Sequence, residues 1–136
     1  MNVMLNLEII TPEKTVVKDE VDLVEATGAD GEFGIMPGHT QFLTTLRIGE
    51  IRYKKNGETT YLASSGGFAE VVDDKVTLLV DTAETSKEID VERAKKAMER
   101  AESLLKTMSY DHTEYRLYEM ALLRAIARIG VASKKI

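Results

Sequence analysis

Ala83-Glu84-Thr85-Ser86-Lys87-Glu88-Ile89-Asp90-Val91-Glu92-Arg93-Ala94 is the stretch in which the sequence changes its period. Before it, apolar residues alternate singly with polar ones; after it, they recur at three and four. Asp90 stands where a helix N-cap belongs, Glu92 falls in the first turn, and Ala94, Ala97, Met98, Ala101, Leu104 and Leu105 follow as one apolar stripe. The spacing predicts an amphipathic helix of about 16 residues, roughly 24 Å long. Met108-Ser109-Tyr110-Asp111-His112 interrupts the stripe, and Asp111 with Glu114 three residues later has the pattern of a capping box. Tyr118, Leu122, Ala125 and Ile129 then mark a second helix, with its end expected near Gly130. A short connection makes the two helices antiparallel neighbours. Their stripes are rich in Ala, which predicts a close contact of small area. Isolated helices of this length are marginal in water, so the hairpin depends on what it packs against and can exchange one support for another.

Upstream of the switch, Leu5, Leu7 and Ile9 alternate with Asn6 and Glu8 until Thr11-Pro12 ends the run. Val21 and Leu23 repeat the alternation, as do Ile51 and Tyr53 between Glu50, Arg52 and Lys54. Asn56-Gly57 tolerates positive φ at both central positions of a two-residue turn, which predicts a hairpin pairing Ile51 to Lys54 with Thr59 to Leu62. A second hairpin is expected across Asp73-Asp74, joining Phe68 to Val72 with Lys75 to Val80. Many short strands with frequent turns indicate a sandwich or barrel. The predicted fold is therefore an all-β N-terminal sandwich or barrel over residues 1–84, followed by an antiparallel α-helical hairpin over residues 85–136.

Composition narrows the function. The chain has 136 residues, 43% of them hydrophobic, enough for a compact core. It has no Cys, and its two His, His39 and His112, lie far apart, which argues against zinc and haem sites. No apolar run approaches the length of a membrane span, and Met1-Asn2-Val3-Met4-Leu5 lacks the basic-then-apolar plan of a signal peptide, so the chain is expected to stay where it is made. Residues 1–84 carry 7 Lys and Arg against 15 Asp and Glu, whereas residues 85–136 carry 11 against 8. An acidic front and a basic back point to two parts with different surroundings, and the acidic front argues against nucleic-acid binding there.

Three stretches carry a resemblance when taken together, in this order and at these distances. They are Gly31-Glu32-Phe33-Gly34-Ile35-Met36-Pro37-Gly38-His39, read as a tight surface turn, Ser65-Gly66-Gly67-Phe68-Ala69-Glu70-Val71, and Ile89-Asp90-Val91-Glu92-Arg93-Ala94. Over essentially its whole length, from Leu7-Glu8-Ile9 to Ala121-Leu122-Leu123-Arg124-Ala125, the chain resembles the epsilon subunits of the rotary (F-type) ATP synthase. The resemblance implies a sandwich at the foot of the central stalk, touching the gamma subunit and the c-subunit ring. It also implies a hairpin that either folds on the sandwich or extends along gamma into the catalytic head and inhibits ATP hydrolysis. The subunit would then be peripheral to the cytoplasmic face of the bacterial inner membrane, meeting the membrane only through the complex.

The resemblance assigns residues as well. It places Asp30, Gly31, Glu32, Phe33, Gly34, Pro37 and His39 at the contact with the rotor ring and gamma; by composition alone Glu32 is an ordinary solvated turn acid, and His39 has no nucleophile nearby to serve. It makes the Ile-Asp-x-x-Arg-Ala motif, here Ile89, Asp90, Arg93 and Ala94, part of a regulatory ATP site together with Glu84. Arg93 and Arg100 share a face of the first helix, and Arg124 and Arg128 are four apart on the second, so four guanidiniums can converge on a triphosphate; by spacing alone they are solvated helix faces. Tyr115, Tyr118 and Met120 are larger than the family leads one to expect, and would add packing to the folded hairpin. No cofactor is required.

An enzyme is not indicated. The sequence has no phosphate loop of the Gly-x-x-x-x-Gly-Lys-[Ser/Thr] type, no nucleophile elbow and no paired-His metal motif. ATP, if bound, is a signal that favours the folded hairpin. The alternative is a stand-alone nucleotide-sensing or nucleic-acid-binding module using the basic hairpin, against which stand the few aromatic residues.

Overall fold

The structure is a computed structural model that describes residues 4–134. Met1-Asn2-Val3, on which the signal-peptide reading partly rests, and residues 135–136 of the basic back lie outside the described residues. Among the described residues there are nine strands followed by two helices: β1 Leu5–Ile10, β2 Thr15–Val21, β3 Leu23–Gly28, β4 Gly31–Ile35, β5 Phe42–Lys55, β6 Glu58–Ser64, β7 Gly67–Val72, β8 Lys75–Val80, β9 Ala83–Thr85, α1 Val91–Thr107 and α2 Tyr115–Ala132.

The strands form one continuous ladder in the order β2-β1-β8-β7-β5-β3-β4, with β6 pairing to β5 and β9 to β6. The fourteen residues of β5 serve both layers of the sandwich. Its first part, Phe42 to Leu46, pairs with β7, and its last part, Gly49 to Lys55, pairs with β6. A strand that passes between layers is how a sandwich turns a corner. Gly67 opens β7 where no side chain fits: a Cβ there would lie 1.9 Å from the Leu79 carbonyl oxygen. Leu5, Leu7 and Ile9 of β1 are 0–1% exposed and meet Val24, Ile51, Leu62, Val76 and Leu78 in a single apolar core. Period-two alternation produces this core directly, since every second residue of each strand faces inward.

Both predicted hairpins form in the predicted register, with Ile51 opposite Leu62 and Val72 opposite Lys75. Asn56 and Gly57 have φ of 52° and 82°, and Asp73 and Asp74 have φ of 48° and 63°, the left-handed pairs that two-residue turns need.

Three readings change. Gly31 to Ile35 is a strand paired antiparallel with β3, so only Ala29-Asp30 and Pro37-Gly38 turn; the glycines of Gly-Glu-Phe-Gly sit within an edge strand. Val21 and Leu23 belong to two strands on either side of Asp22, and the inward positions are Val21 and Val24, not Leu23. The capping box does not form. The Asp111 carboxylate takes the Ser109 hydroxyl, the Glu114 N–H donates to His112 Nδ1 at 3.1 Å, and α2 begins at Tyr115. The end of α2 falls near Gly130 as expected, at Ala132, where Val131 and Ala132 are buried with Ala63 and Ile89.

The helices pack as an antiparallel pair, and α2 lies on β5, β6 and β9 while α1 packs mainly on α2. The helix contact rests on small residues: Ala94 and Ala101 of α1 and Ala125 of α2 are 0–2% exposed, whereas Ala97 of the expected stripe is exposed.

Candidate functional site

Between the folded hairpin and the sandwich lies a cleft of about 580 Å³. The sandwich contributes the β1–β2 turn (Thr11, Glu13, Lys14) and the chain around β9 (Asp81 to Glu84), α1 contributes Arg93 and Ala97, and α2 contributes Ala121, Arg124, Ala125 and Arg128. Ala97, Ala121 and Ala125 leave room where larger side chains would fill it, and Ala125 serves both the cleft and the close helix contact.

Asp90 starts the helix that presents Arg93: its carboxylate accepts the Arg93 backbone N–H at 3.1 Å, an N-cap that satisfies one of the free donors of the first turn. Ile89 and Ala94 occupy the flanking positions of a hydrophobic staple. Ile89 is 4% exposed and packs with Ala63, Val131 and Ala132, and Ala94 is fully buried. Four of the motif's residues thus build the helix start, and of these only Arg93 reaches the cleft wall. Arg124 and Arg128 join it there, while Arg100 is exposed and lies outside the cleft lining.

Glu84 on β9 is engaged with Arg128. Arg128 Nη2 donates to Glu84 Oε2 at 3.4 Å, and Nε lies 2.9 Å from Oε1. That second approach is close in distance but poorly directed, so the buried Nε has no hydrogen-bond acceptor among the described residues. The pair ties α2 to β9 across the cleft. Beside it Glu88 accepts the Thr85 N–H at 3.0 Å and the Thr85 hydroxyl at 2.8 Å, which hold its carboxyl below the usual range despite some burial. This fastens the linker that enters α1.

At the other end of the sandwich, Asp30 and Glu32 are exposed, and Phe33 stacks at a tilt on Phe42 with centroids 5.4 Å apart. His39 stands edge-on to Phe42 at 5.6 Å, with Nδ1 2.8 Å from the Thr40 carbonyl oxygen. Pro37-Gly38 is tied to the β7–β8 turn, where the Gly38 N–H donates to Asp74 Oδ1 at 2.7 Å. His39 is therefore a half-buried loop residue of this end. Gly34 lies across from Glu25 on β3.

Sequence reasoning missed Glu13 and Lys14, which come from the distant β1–β2 turn, and Asp81 and Glu88, which flank β9, because only the tertiary fold brings these segments to one cleft. Among the described residues no helix is long and apolar enough to cross a membrane.

A β-sandwich with a two-helix hairpin folded on it, and between them a cleft walled in part by arginines, defines the class by its architecture. Two family models match end to end: the ATP synthase delta/epsilon chain beta-sandwich domain over residues 4–86, and the long alpha-helix domain of the same chain over residues 87–133. The ATP synthase epsilon chain of Geotalea daltonii is 53% identical over 130 residues, 96% of this chain and 94% of its own, and that of Geobacter sulfurreducens is 52% identical over the same shares. A chain of the Euglena gracilis mitochondrial ATP synthase has the same fold, with a TM-score of 0.84 at 24% identity over 98% of this chain and 83% of its own. The chain belongs to the delta/epsilon chain family of the ATP synthase, as a non-catalytic part of that complex.

Proposed function

We propose that the chain is a central-stalk subunit whose sandwich couples the c-subunit ring and gamma to the catalytic head, and whose hairpin inhibits ATP hydrolysis when it leaves the sandwich. It would work on the cytoplasmic face of the bacterial inner membrane, through the complex. Family membership supports the place in the machine, and chains of the same fold stand in structures described as central stalk and c-ring. The edge strand β4 with Asp30, Glu32 and the neighbouring Pro37 and His39 is the surface offered to the rotor.

The observation that carries the regulatory reading is the shared cleft. Arg93 and Arg124 face it from two helices with no carboxylate within ion-pair distance among the described residues, and its volume lies within the range of about 300–1,000 Å³ usual for small-ligand sites. ATP is the regulatory ligand proposed, with its phosphates on Arg93, Arg124 and Arg128. Its walls come from both halves, so a ligand bound there favours the folded hairpin, by about 2.7 kcal/mol at a hundred times its dissociation constant. The four acids Glu13, Asp81, Glu84 and Glu88 offset the cations of the lining, which implies weak to moderate affinity. To receive the phosphates, Arg128 must loosen its hold on Glu84, whose carboxylate then serves the adenine amine or ribose.

Calorimetric titration of the purified chain with ATP, beside Arg93→Ala, tests this. Saturable heat that disappears in the variant is expected. Absence of heat at millimolar ATP would refute the sensor and leave a coupling subunit whose hairpin answers to something else.

A further inference from the structure

The outer face of the second layer carries a charge cluster of which the roles above use only Glu32. Alternation places Glu50 and Arg52 on the same face of β5, and the register sets Arg52 opposite Glu25 on β3 and Tyr61 on β6. Glu25 lies opposite Gly34 on β4, two residues along from Glu32 on the same face. Their side chains converge. Arg52 Nη1 donates to Glu50 Oε2 at 2.8 Å and to Glu32 Oε1 at 3.3 Å, while Nε and Nη2 each donate to a Glu25 oxygen at 3.3 Å. Burial works against the charge on Arg52, yet its hydrogen bonds with Glu25, Glu32 and Glu50 push its pKa upward, so the guanidinium stays charged throughout.

The cluster does not end on the sandwich. The remaining oxygen of Glu50, Oε1, lies 2.8 Å from Nζ of Lys134, just past the end of α2, and that ammonium also stands 5.1 Å above the Tyr61 ring. One carboxylate thus joins the part-buried guanidinium to the C-terminal end of the hairpin. Glu25, Glu32 and Glu50 together exceed Arg52 by two negative charges, and that surplus holds the Lys134 ammonium.

We propose that Arg52 is a hub through which the charge state of Glu32 on β4 sets how firmly the end of α2 is docked. When Glu32 is neutralised, or drawn off by a cationic group of a docking partner, Nη1 turns wholly to Glu50 and the surplus negative charge facing Lys134 falls from two to one. The hold on α2 weakens without any change in the nucleotide cleft, which none of these five residues lines. That Glu32 meets the rotor rests on the proposed function above; its coupling to Lys134 does not.

A double-mutant cycle on the full chain tests the coupling, with Glu32→Gln, Lys134→Gln and the double variant, read by hydrogen exchange of the amides at Ile129–Ala132. A partly exposed charge pair converts to about a two- to fourfold faster exchange in Glu32→Gln. Lys134→Gln alone is expected to loosen the same amides, the double variant to be no faster than Lys134→Gln, and high salt to remove the Glu32 effect. No response to Glu32→Gln would overturn the proposal, as would effects of the two substitutions that multiply independently. Equal loosening of β3 and β5 would also overturn it, since the effect would then be one of general stability.

Discussion

The core of the sandwich hides mainly leucine, isoleucine and valine, whereas the contact between the two helices hides alanine. Leu5, Leu7, Ile9, Ile51, Leu62 and Leu78 are at most 2% exposed in the sandwich, and the only fully buried residues of α1 are Ala94 and Ala101. Burial of a large aliphatic side chain contributes about 1.5–3 kcal/mol, and alanine far less. The front therefore stands on its own core, and the hairpin is fixed at a few places: the helix contact through alanines, the small cluster of Ile89, Val131 and Ala132 with Ala63, and the ion pairs Glu84–Arg128 and Glu50–Lys134. An element held in this way can leave its support without unfolding it. Leu117, Leu123 and Ile126 of α2 are 43–59% exposed in the folded state, apolar surface available to another partner.

Leu62→Ala is expected to show the largest effect, a loss of about 2–5 kcal/mol in chemical denaturation, because it opens a cavity in the sandwich core. Ala101→Leu should cost about 1–3 kcal/mol by overpacking the helix contact, and hydrogen exchange should place the loss in α1 and α2 and leave β1 to β8 unmoved. Loosening of the strands by the same substitution would mean that the two regions are one cooperative unit. Asp90→Ala removes the N-cap and should weaken α1 by about 1 kcal/mol, visible as lower helical circular dichroism at intermediate temperature. The smallest effect concerns pH. Lys55 at 2.6 Å, followed by the Glu20 N–H, holds the Asp19 carboxyl below its ordinary value of 3.8. A depressed carboxylate contributes stability that is present above the unfolded value and is lost as pH falls through the lower folded one. Asp19→Asn should therefore flatten the acid limb of the sandwich's stability curve below about pH 4 and leave the hairpin's unchanged.

Much of this was legible from local patterns. The two hairpin turns at Asn56-Gly57 and Asp73-Asp74 were readable because positive φ is a property of one or two residues, and the register follows from them. The start of α1 was readable because an N-cap is equally local. The start of α2 was misread because Asp111 had two hydrogen-bonding options, and the Ser109 hydroxyl took it. Its end lies near Gly130 as expected, carried two residues further because burial of Val131 and Ala132 outweighs the roughly 1 kcal/mol cost of Gly130 in a helix. Gly31 to Ile35 looked like a turn because its glycines signal one locally, but pairing with β3 is a tertiary contact. The cleft followed the same rule. Arg93, Arg124 and Arg128 were legible from helical spacing, the exclusion of Arg100 depends on where α1 sits over the sandwich, and Lys14 arrives from a turn about 80 residues earlier in the chain.

Hydrogen exchange of the full chain with and without ATP tests most directly whether the sandwich is a fixed base and the hairpin a separable element held on it by a ligand. Faster exchange of Val91–Thr107 and Tyr115–Ala132 than of the core strands, slowed by ATP and unaffected by ATP in Arg93→Ala, is the predicted result. Helices that exchange together with β1 to β8 at one common rate, with ATP or without it, would contradict it.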